Sequence, residues 1–180
     1  MPTFVALLRG INVGGNALKM ERLRQLCAEL GAENISTYVQ SGNVVFQAKQ
    51  SSSHWRRLLE KRLLGECRLP VSVMVRTANE MSLILDGNPF LKEKGIDIAR
   101  LAVTFLQQTP TRDALAALGA MKLGSERFHF SGNGAGKEIY LHCPNGFADA
   151  KLYTLDRVLS QKTTVRNWNT VTKLTEMSSK

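Results

Sequence analysis

Apolar residues along the first ninety positions alternate between strand-like and helix-like spacing, and each change of period marks an element. Residues 3–9 form a β-rich run ended by Gly10. Over 20–30, Leu23, Leu26, Cys27 and Leu30 share one helical face before the stop at Gly31. Two β-branched, aromatic-containing runs, 35–40 and 43–47, flank the turn-forming pair Ser41-Gly42 and predict a hairpin. Trp55, Leu58, Leu59 and Leu63 predict a helix over 55–64. Pro70 introduces a strand over 71–76, and 78–85 predicts a trailing helix. The first half therefore reads βαββαβ plus one helix.

The second half repeats that order. It predicts a strand over 101–106, a helix over 112–121, a hairpin of 127–130 with 138–142, a helix over 148–159, a strand over 163–166 and a helix carrying Trp168, Val171 and Leu174. Ser41-Gly42-Asn43 recurs as Ser131-Gly132-Asn133, and the strand-ending Arg76 recurs as Arg166, both 90 residues on. Equal offsets at equivalent elements point to a duplication. Right-handed crossovers and short connections then leave few layouts. The expected fold is α+β, with duplicated ferredoxin-like (α/β-plait) βαββαβ halves, each an antiparallel sheet in the order 4-1-3-2. The halves span 1–88 and 96–180, and 89–95 is the linker, holding Pro89 and Lys92-Glu93-Lys94. Phe4-Val5-Ala6-Leu7-Leu8 is apolar at both parities, which calls for a strand buried on two faces.

Composition narrows the class. Hydrophobic residues make up 43% and charged residues 22% of 180 positions, enough for a sizeable core and far from the disordered class. The net charge of +9 raises nucleic acid, phosphates and membrane surfaces as partners. The excess is spread, however: residues 1–90 hold 11 Lys+Arg against 7 Asp+Glu, and residues 91–180 hold 13 against 8. Such a spread, with no polybasic tail, fits solubility better than a nucleic-acid footprint. No apolar run reaches the roughly 18 residues of a membrane span, and no basic n-region precedes Phe4, so a cytoplasmic address and no membrane partner are expected. Cys27, Cys67 and Cys143 have neither disulfide-framework nor metal spacing and read as reduced thiols.

Candidate chemistry concentrates in loops. Arg9-Gly10-Ile11-Asn12-Val13-Gly14-Gly15-Asn16 lies between the first strand and the first helix. Its glycines let backbone approach a ligand, the helix start favours an anion, and Arg9 offers a bidentate charge. In the expected topology the Gln40-Ser41-Gly42-Asn43 hairpin emerges at the same end, so two polar loops converge. The bland alternative is that the glycines serve tight turns while Asn12, Asn16 and Asn43 cap or take left-handed positions. Arg166-Asn167-Trp168-Asn169 is a second candidate, in which tryptophan stacks a ring and the asparagines read its edge. Its bland alternative is a helix start, with Asn167 as cap and Trp168 as first core residue.

Other motifs fail on context. Gly132-Asn133-Gly134-Ala135-Gly136-Lys137 sits inside a hairpin and is followed by Glu138, so it is a turn and not a Walker A loop. No G-x-G-x-x-G opens a helix after a strand. His54, His129 and His142 are dispersed, no metal site is predicted, and the sequence calls for no cofactor. Asn43-Val44-Val45-Phe46-Gln47 lacks the aromatic pattern of an RNA-recognition sheet.

Ala6 to Gly15, Tyr38 to Phe46 and Arg166 to Val171, in that order, resemble the motifs of domain-of-unknown-function family 1697. The resemblance implies a bacterial-type cytoplasmic protein with a duplicated ferredoxin-like fold, and no established activity. Its recurring positions match at Arg9, Gly10, Asn12, Gly14, Gly15, Gln40, Ser41, Gly42, Asn43, Arg166, Asn167, Trp168 and Asn169. Three functions stay open: a binding module for a small anionic or nucleotide-like ligand, an enzyme acting on a phosphorylated or nucleotide substrate, and a non-catalytic scaffold or nucleic-acid-binding protein. The motifs hold no His, Cys or carboxylate, which favours binding over acid–base catalysis. Oligomeric state is open at this level.

Overall fold

The computed structural model describes residues 1–12, 17–67, 70–134 and 136–180 of the chain. It is an α+β protein with two four-stranded antiparallel sheets and, among the described residues, six α-helices. The first sheet combines β1 (Thr3–Leu8), β2 (Glu33–Tyr38), β3 (Asn43–Gln47) and β4 (Val73–Thr77) in the order β2-β3-β1-β4. The second combines β5 (Leu101–Leu106), β6 (Arg127–Phe130), β7 (Glu138–His142) and β8 (Thr163–Asn167) as β6-β7-β5-β8. Both orders are the expected 4-1-3-2. Two compact units make up the chain, Met1–Ser82 with Lys173–Lys180, and Leu83–Thr172.

In the first unit, α1 (Met20–Glu29) and α2 (Ser52–Cys67) lie over one face of the sheet. Phe4, Ala6 and Leu8 of β1 meet Val44 and Phe46 of β3, Leu23, Leu26 and Cys27 of α1, and Trp55, Leu59 and Leu63 of α2 in one core. Phe46 packs between Phe4 and Trp55, with ring centroids 5.7 and 4.7 Å away. Val5 and Leu7 point to the opposite face and are buried as well, as the two-sided pattern of β1 required. α3 (Ala78–Asp86) follows β4 directly. It starts with a reciprocal cap, in which Glu80 N–H donates to Thr77 Oγ1 at 3.1 Å and Thr77 N–H donates to the Glu80 carboxylate at 2.7 Å.

The second unit covers its sheet differently. α4 (Arg112–Gly119) supplies Ala114 and Leu118 to the core. The helix expected over 148–159 is absent; a 3-10 turn at Lys151–Tyr153 and the single turn of α5 (Asp156–Leu159) replace it. Leu152, Leu155 and Leu159 still reach the core, which is why the apolar spacing looked helical. The Glu126 carboxylate accepts the Lys151 and Leu152 N–H groups at 3.0 and 2.9 Å, and Thr154 leaves helical geometry at φ −130° and ψ 84°. A long-range acceptor thus displaces the local helical one. α6 (Trp168–Ser178) follows β8.

The segment expected as a linker is anchored. Pro89–Lys92 forms a 3-10 turn capped by the Asn88 side chain, and Phe90 is buried, 4.9 Å from the His129 ring and 5.6 Å from His142. Arg127 lies over Phe90 and donates to both Glu93 carboxylate oxygens at 3.0 and 2.8 Å. Its Nη2 is also 3.0 Å from His142 Nδ1. Arg127 holds the Glu93 carboxyl below the usual range, while burial and Arg127 lower the His142 pKa. Burial pushes the Cys27 and Cys143 thiols up to about 12 and 11, which leaves them poor nucleophiles.

Across α1 and α2, Arg22 donates to both Glu66 oxygens at 3.1 and 2.5 Å and to Glu29 at 2.8 Å, and Arg62 also pairs with Glu29. These bonds lower the Glu29 and Glu66 pKa values. A lowered folded-state pKa stabilises above the ordinary carboxylate range and ceases to do so as pH falls through the folded value. The Tm difference between the wild type and Arg22→Ala should therefore be largest near neutrality and shrink below about pH 4. A difference that stays constant from pH 7 to 3 would contradict this.

Candidate functional site

Strand β1 ends at Leu8 and β2 ends at Tyr38, and the two loops that leave them share one rim of the first sheet. Asn12 joins them. Its Nδ2 donates to the Gln40 carbonyl at 2.6 Å and to the Leu18 carbonyl at 3.1 Å, while its Oδ1 accepts the Leu18 N–H at 2.8 Å. Both amide protons are thereby used on backbone. The left-handed φ of 57° at Asn12 is one that asparagine tolerates. Leu8 N–H donates to the Gly42 carbonyl at 2.8 Å, and Arg9 N–H to the Ser72 carbonyl at 2.9 Å, so the start of the loop is pinned on both sides.

The hairpin is fixed as firmly. Asn43 is fully buried, and its Nδ2 donates to the Tyr38 carbonyl and to Ser41 Oγ, both at 3.0 Å. Gly42 has φ +74°, and a Cβ there would stand 2.6 Å from Ile11 Cδ1 and 2.8 Å from Leu8 Cβ. No other residue fits without displacing both. The strand expected to reach residue 40 stops at Tyr38 because Val39 turns to a φ of 49°.

The two loops therefore meet, joined by the exposed Asn12, with Asn43 buried inside the hairpin. Arg9 is half-buried, and Gly10, Gln40 and Ser41 are exposed. Val13, Gly14, Gly15 and Asn16 lie outside the described residues. α1 begins at Met20 with Lys19 as an N-cap that makes no side-chain bond, so Ala17, Leu18 and Lys19 separate the helix from the glycine-rich stretch.

The second candidate segment is a strand-to-helix junction in the other unit. Arg166, in β8, is 8% exposed, and its Nη1 donates to Thr164 Oγ1 at 2.7 Å and to the Val165 carbonyl at 2.9 Å. Burial brings its pKa down to about 10, with Tyr153 opposing the shift. Asn167 Oδ1 accepts the Thr170 N–H at 2.8 Å, which is the helix cap. Trp168 is 4% exposed and shares a buried face of α6 with Val171 and Leu174. Its ring is not presented for stacking on a base, and Asn169 is exposed. The sequence shows no mark of Val39, whose β-branched side chain reads as strand.

The Ser131 turn is a local knot. Ser131 Oγ donates to Glu138 at 3.0 Å and accepts the Glu138 N–H at 3.2 Å, and Gly136 N–H donates to the Ser131 carbonyl at 3.1 Å. A Cβ at Gly136 would fall 1.9 Å from Ser131 Oγ. Among the described residues, no three His, Cys, Asp or Glu side chains gather as metal ligands, and no helix is long and apolar enough to cross a membrane.

The model of the family DUF1697, a protein of unknown function, matches residues 1–135. The chain belongs to that family. The match takes in both loops of the first unit and stops short of Arg166. Among solved structures, the conserved bacterial protein SP0830 from Streptococcus pneumoniae is similar, with a TM-score of 0.79 and 24% identity over 100% of this chain and 99% of the other. That likeness shows a shared fold. No curated protein matches the chain. For the DUF1697 chain, no specific function follows from these similarities.

Two substitutions test the roles given by geometry. Asn12→Asp removes both donors and sets a carboxylate against two carbonyls, so it should destabilise the chain by about 2 kcal/mol and speed amide exchange over residues 39–42. Unchanged exchange there would show that Asn12 does not hold the hairpin. Trp168→Ala should cost about 3–5 kcal/mol in denaturant unfolding, as removal of a core side chain does. A cost below about 1 kcal/mol would mean that Trp168 is not part of the core.

Proposed function

We propose that this DUF1697 protein is a cytoplasmic binding module for a small anionic or nucleotide-like ligand, taken up at the rim where the Arg9 and Gln40 loops meet. The observation that supports this most directly is the 2.6 Å bond from Asn12 Nδ2 to the Gln40 carbonyl, which joins the two loops into one surface. Asn12, Gly42 and Asn43 build that surface. Arg9, the Gly10 backbone, Gln40 and Ser41 face the ligand. Guanidinium, backbone N–H, amide and hydroxyl together suit an oxyanion. We assign Arg166, Asn167 and Trp168 to the fold, because two are buried and one caps a helix.

The fold reading extends the same way. The two units are copies of one ferredoxin-like βαββαβ unit. Arg76 pairs with Val5 in the first sheet and Arg166 with Val103 in the second. Each arginine's Nη1 donates to the carbonyl of the residue before it, at 3.0 and 2.9 Å. A shared register position carrying the same unusual buried side chain supports descent from one ancestor. The hairpins have since diverged, since residues 39–42 close the first and residues 131–137 the second.

Binding is preferred over catalysis because residues 9–16 and 39–43 carry no His, Cys, Asp or Glu to move a proton. A thermal-shift series with AMP, inorganic phosphate and short oligonucleotides tests the reading, since a ligand held only by the folded state raises Tm. The wild type should be stabilised by AMP or phosphate and Arg9→Ala should not respond. Equal shifts in both proteins would exclude Arg9 from the site, and no shift with any probe would leave the scaffold reading in place.

A further inference from the structure

Arg127 of β6 stands directly opposite His142 of β7, so both side chains lie on one face of the second sheet. Phe90 is buried there, its ring 5.6 Å from the His142 ring and 4.9 Å from that of His129, with Arg127 Cζ 5.1 Å from its centroid. The turn that carries Phe90 is held at both ends. Phe90 N–H donates to Asn88 Oδ1 at 3.1 Å, Glu93 N–H donates to the Phe90 carbonyl at 3.0 Å, and the Glu93 carboxylate takes two N–H groups of Arg127. Arg127 Nη2 also reaches His142 Nδ1 at 3.0 Å. A guanidinium only donates, so this contact requires a lone pair on Nδ1 and hence a neutral imidazole with its proton on Nε2.

Protonation reverses the contact. An imidazolium at His142 offers an N–H where Arg127 needs an acceptor, sets a second cation 3.0 Å from the guanidinium and competes with it for Glu93. We propose that His142 is a proton-operated catch on the Phe90 turn, closed while its ring is neutral and released when it is protonated, so that mild acid frees residues 89–93 while the sheet beneath stays folded. The titratable and charged groups around His142 are Arg127 and His129 from β6, and Glu93 and Asp97 from the segment that precedes β5. Asp97 pairs with Arg100 at 3.6 Å, and Glu138, on the same strand as His142, bonds Ser131. Burial and Arg127 oppose the imidazolium, the two carboxylates favour it, and the balance lowers the pKa. A histidine pKa lowered by folding gives stability that is complete above about 6.5 and is lost as pH falls through the folded value. The Glu93 carboxyl, itself lowered, stays charged throughout that window.

Amide hydrogen exchange of the full chain at about pH 7.5 and about pH 5, each corrected for the pH dependence of the chemical step, reads the turn directly. In the wild type, protection of the Phe90 and Glu93 amides should fall about tenfold on acidification, the loss expected for one charge-assisted hydrogen bond, while that of the β5 amides is unchanged. His142→Asn replaces Nδ1 with an oxygen that accepts from Arg127 and does not titrate, so its turn should be equally protected at both pH values. His129→Asn should fall as the wild type does. No fall in the wild type, an equal fall in His142→Asn, or a fall abolished by His129→Asn overturns the proposal. NMR titration of the wild-type imidazole nitrogens needs no variant: His142 should carry its proton on Nε2 at the higher pH and gain one on Nδ1 over the range in which the turn loosens. A proton already on Nδ1 at the higher pH overturns the catch.

Discussion

Strand β1 is buried along its length, with Phe4, Ala6 and Leu8 turned to the helices and Val5 and Leu7 to the other face. A strand buried on both faces has no side to turn to water. It therefore sits inside the sheet, bonded to β3 on one side and β4 on the other. Everything at its exit follows from that position. The chain can change direction only after Leu8, and it does so beside the turn that leads into β3, so the Arg9 loop and the hairpin are neighbours by construction.

The second unit obeys the same rule through β5, whose six residues are all buried between β7 and β8. Where the units part company, the cause is hydrogen bonding. In the first, α2 runs for 16 residues against the sheet. In the second, the corresponding stretch is drawn off its helical path by the Glu126 carboxylate, which takes two N–H groups that a helix would have used internally. The same leucines reach the core by a broken route.

At the rim, the polar residues whose bonds are described build the turn. Asn12 and Asn43 have both of their amide protons bonded inside the protein, and Gly42 leaves no room for a side chain. Such over-determination holds Val39 in a conformation that its own side chain disfavours. Polar motifs of this kind are easily read as ligand contacts, yet much of their hydrogen-bonding capacity closes the turn itself. The same holds at the Arg166 junction, where cap and core residues account for Asn167 and Trp168.

Periodicity alone located nearly every strand, and β3, β5, β6 and β7 begin and end where the apolar pattern places them, because burial on a pleated sheet imposes its period directly on the sequence. The 4-1-3-2 order was legible too, since handedness and short connections leave little else. Tertiary structure decided what local pattern cannot encode: that the segment after Pro144 would give up a helix to a distant carboxylate, that Phe90 would be trapped between two imidazoles, and that Asn12 would reach across 28 positions to Gln40. Each depends on an acceptor or ring supplied by a remote part of the chain. A sequence states which groups need partners, and only the fold chooses which partners they meet.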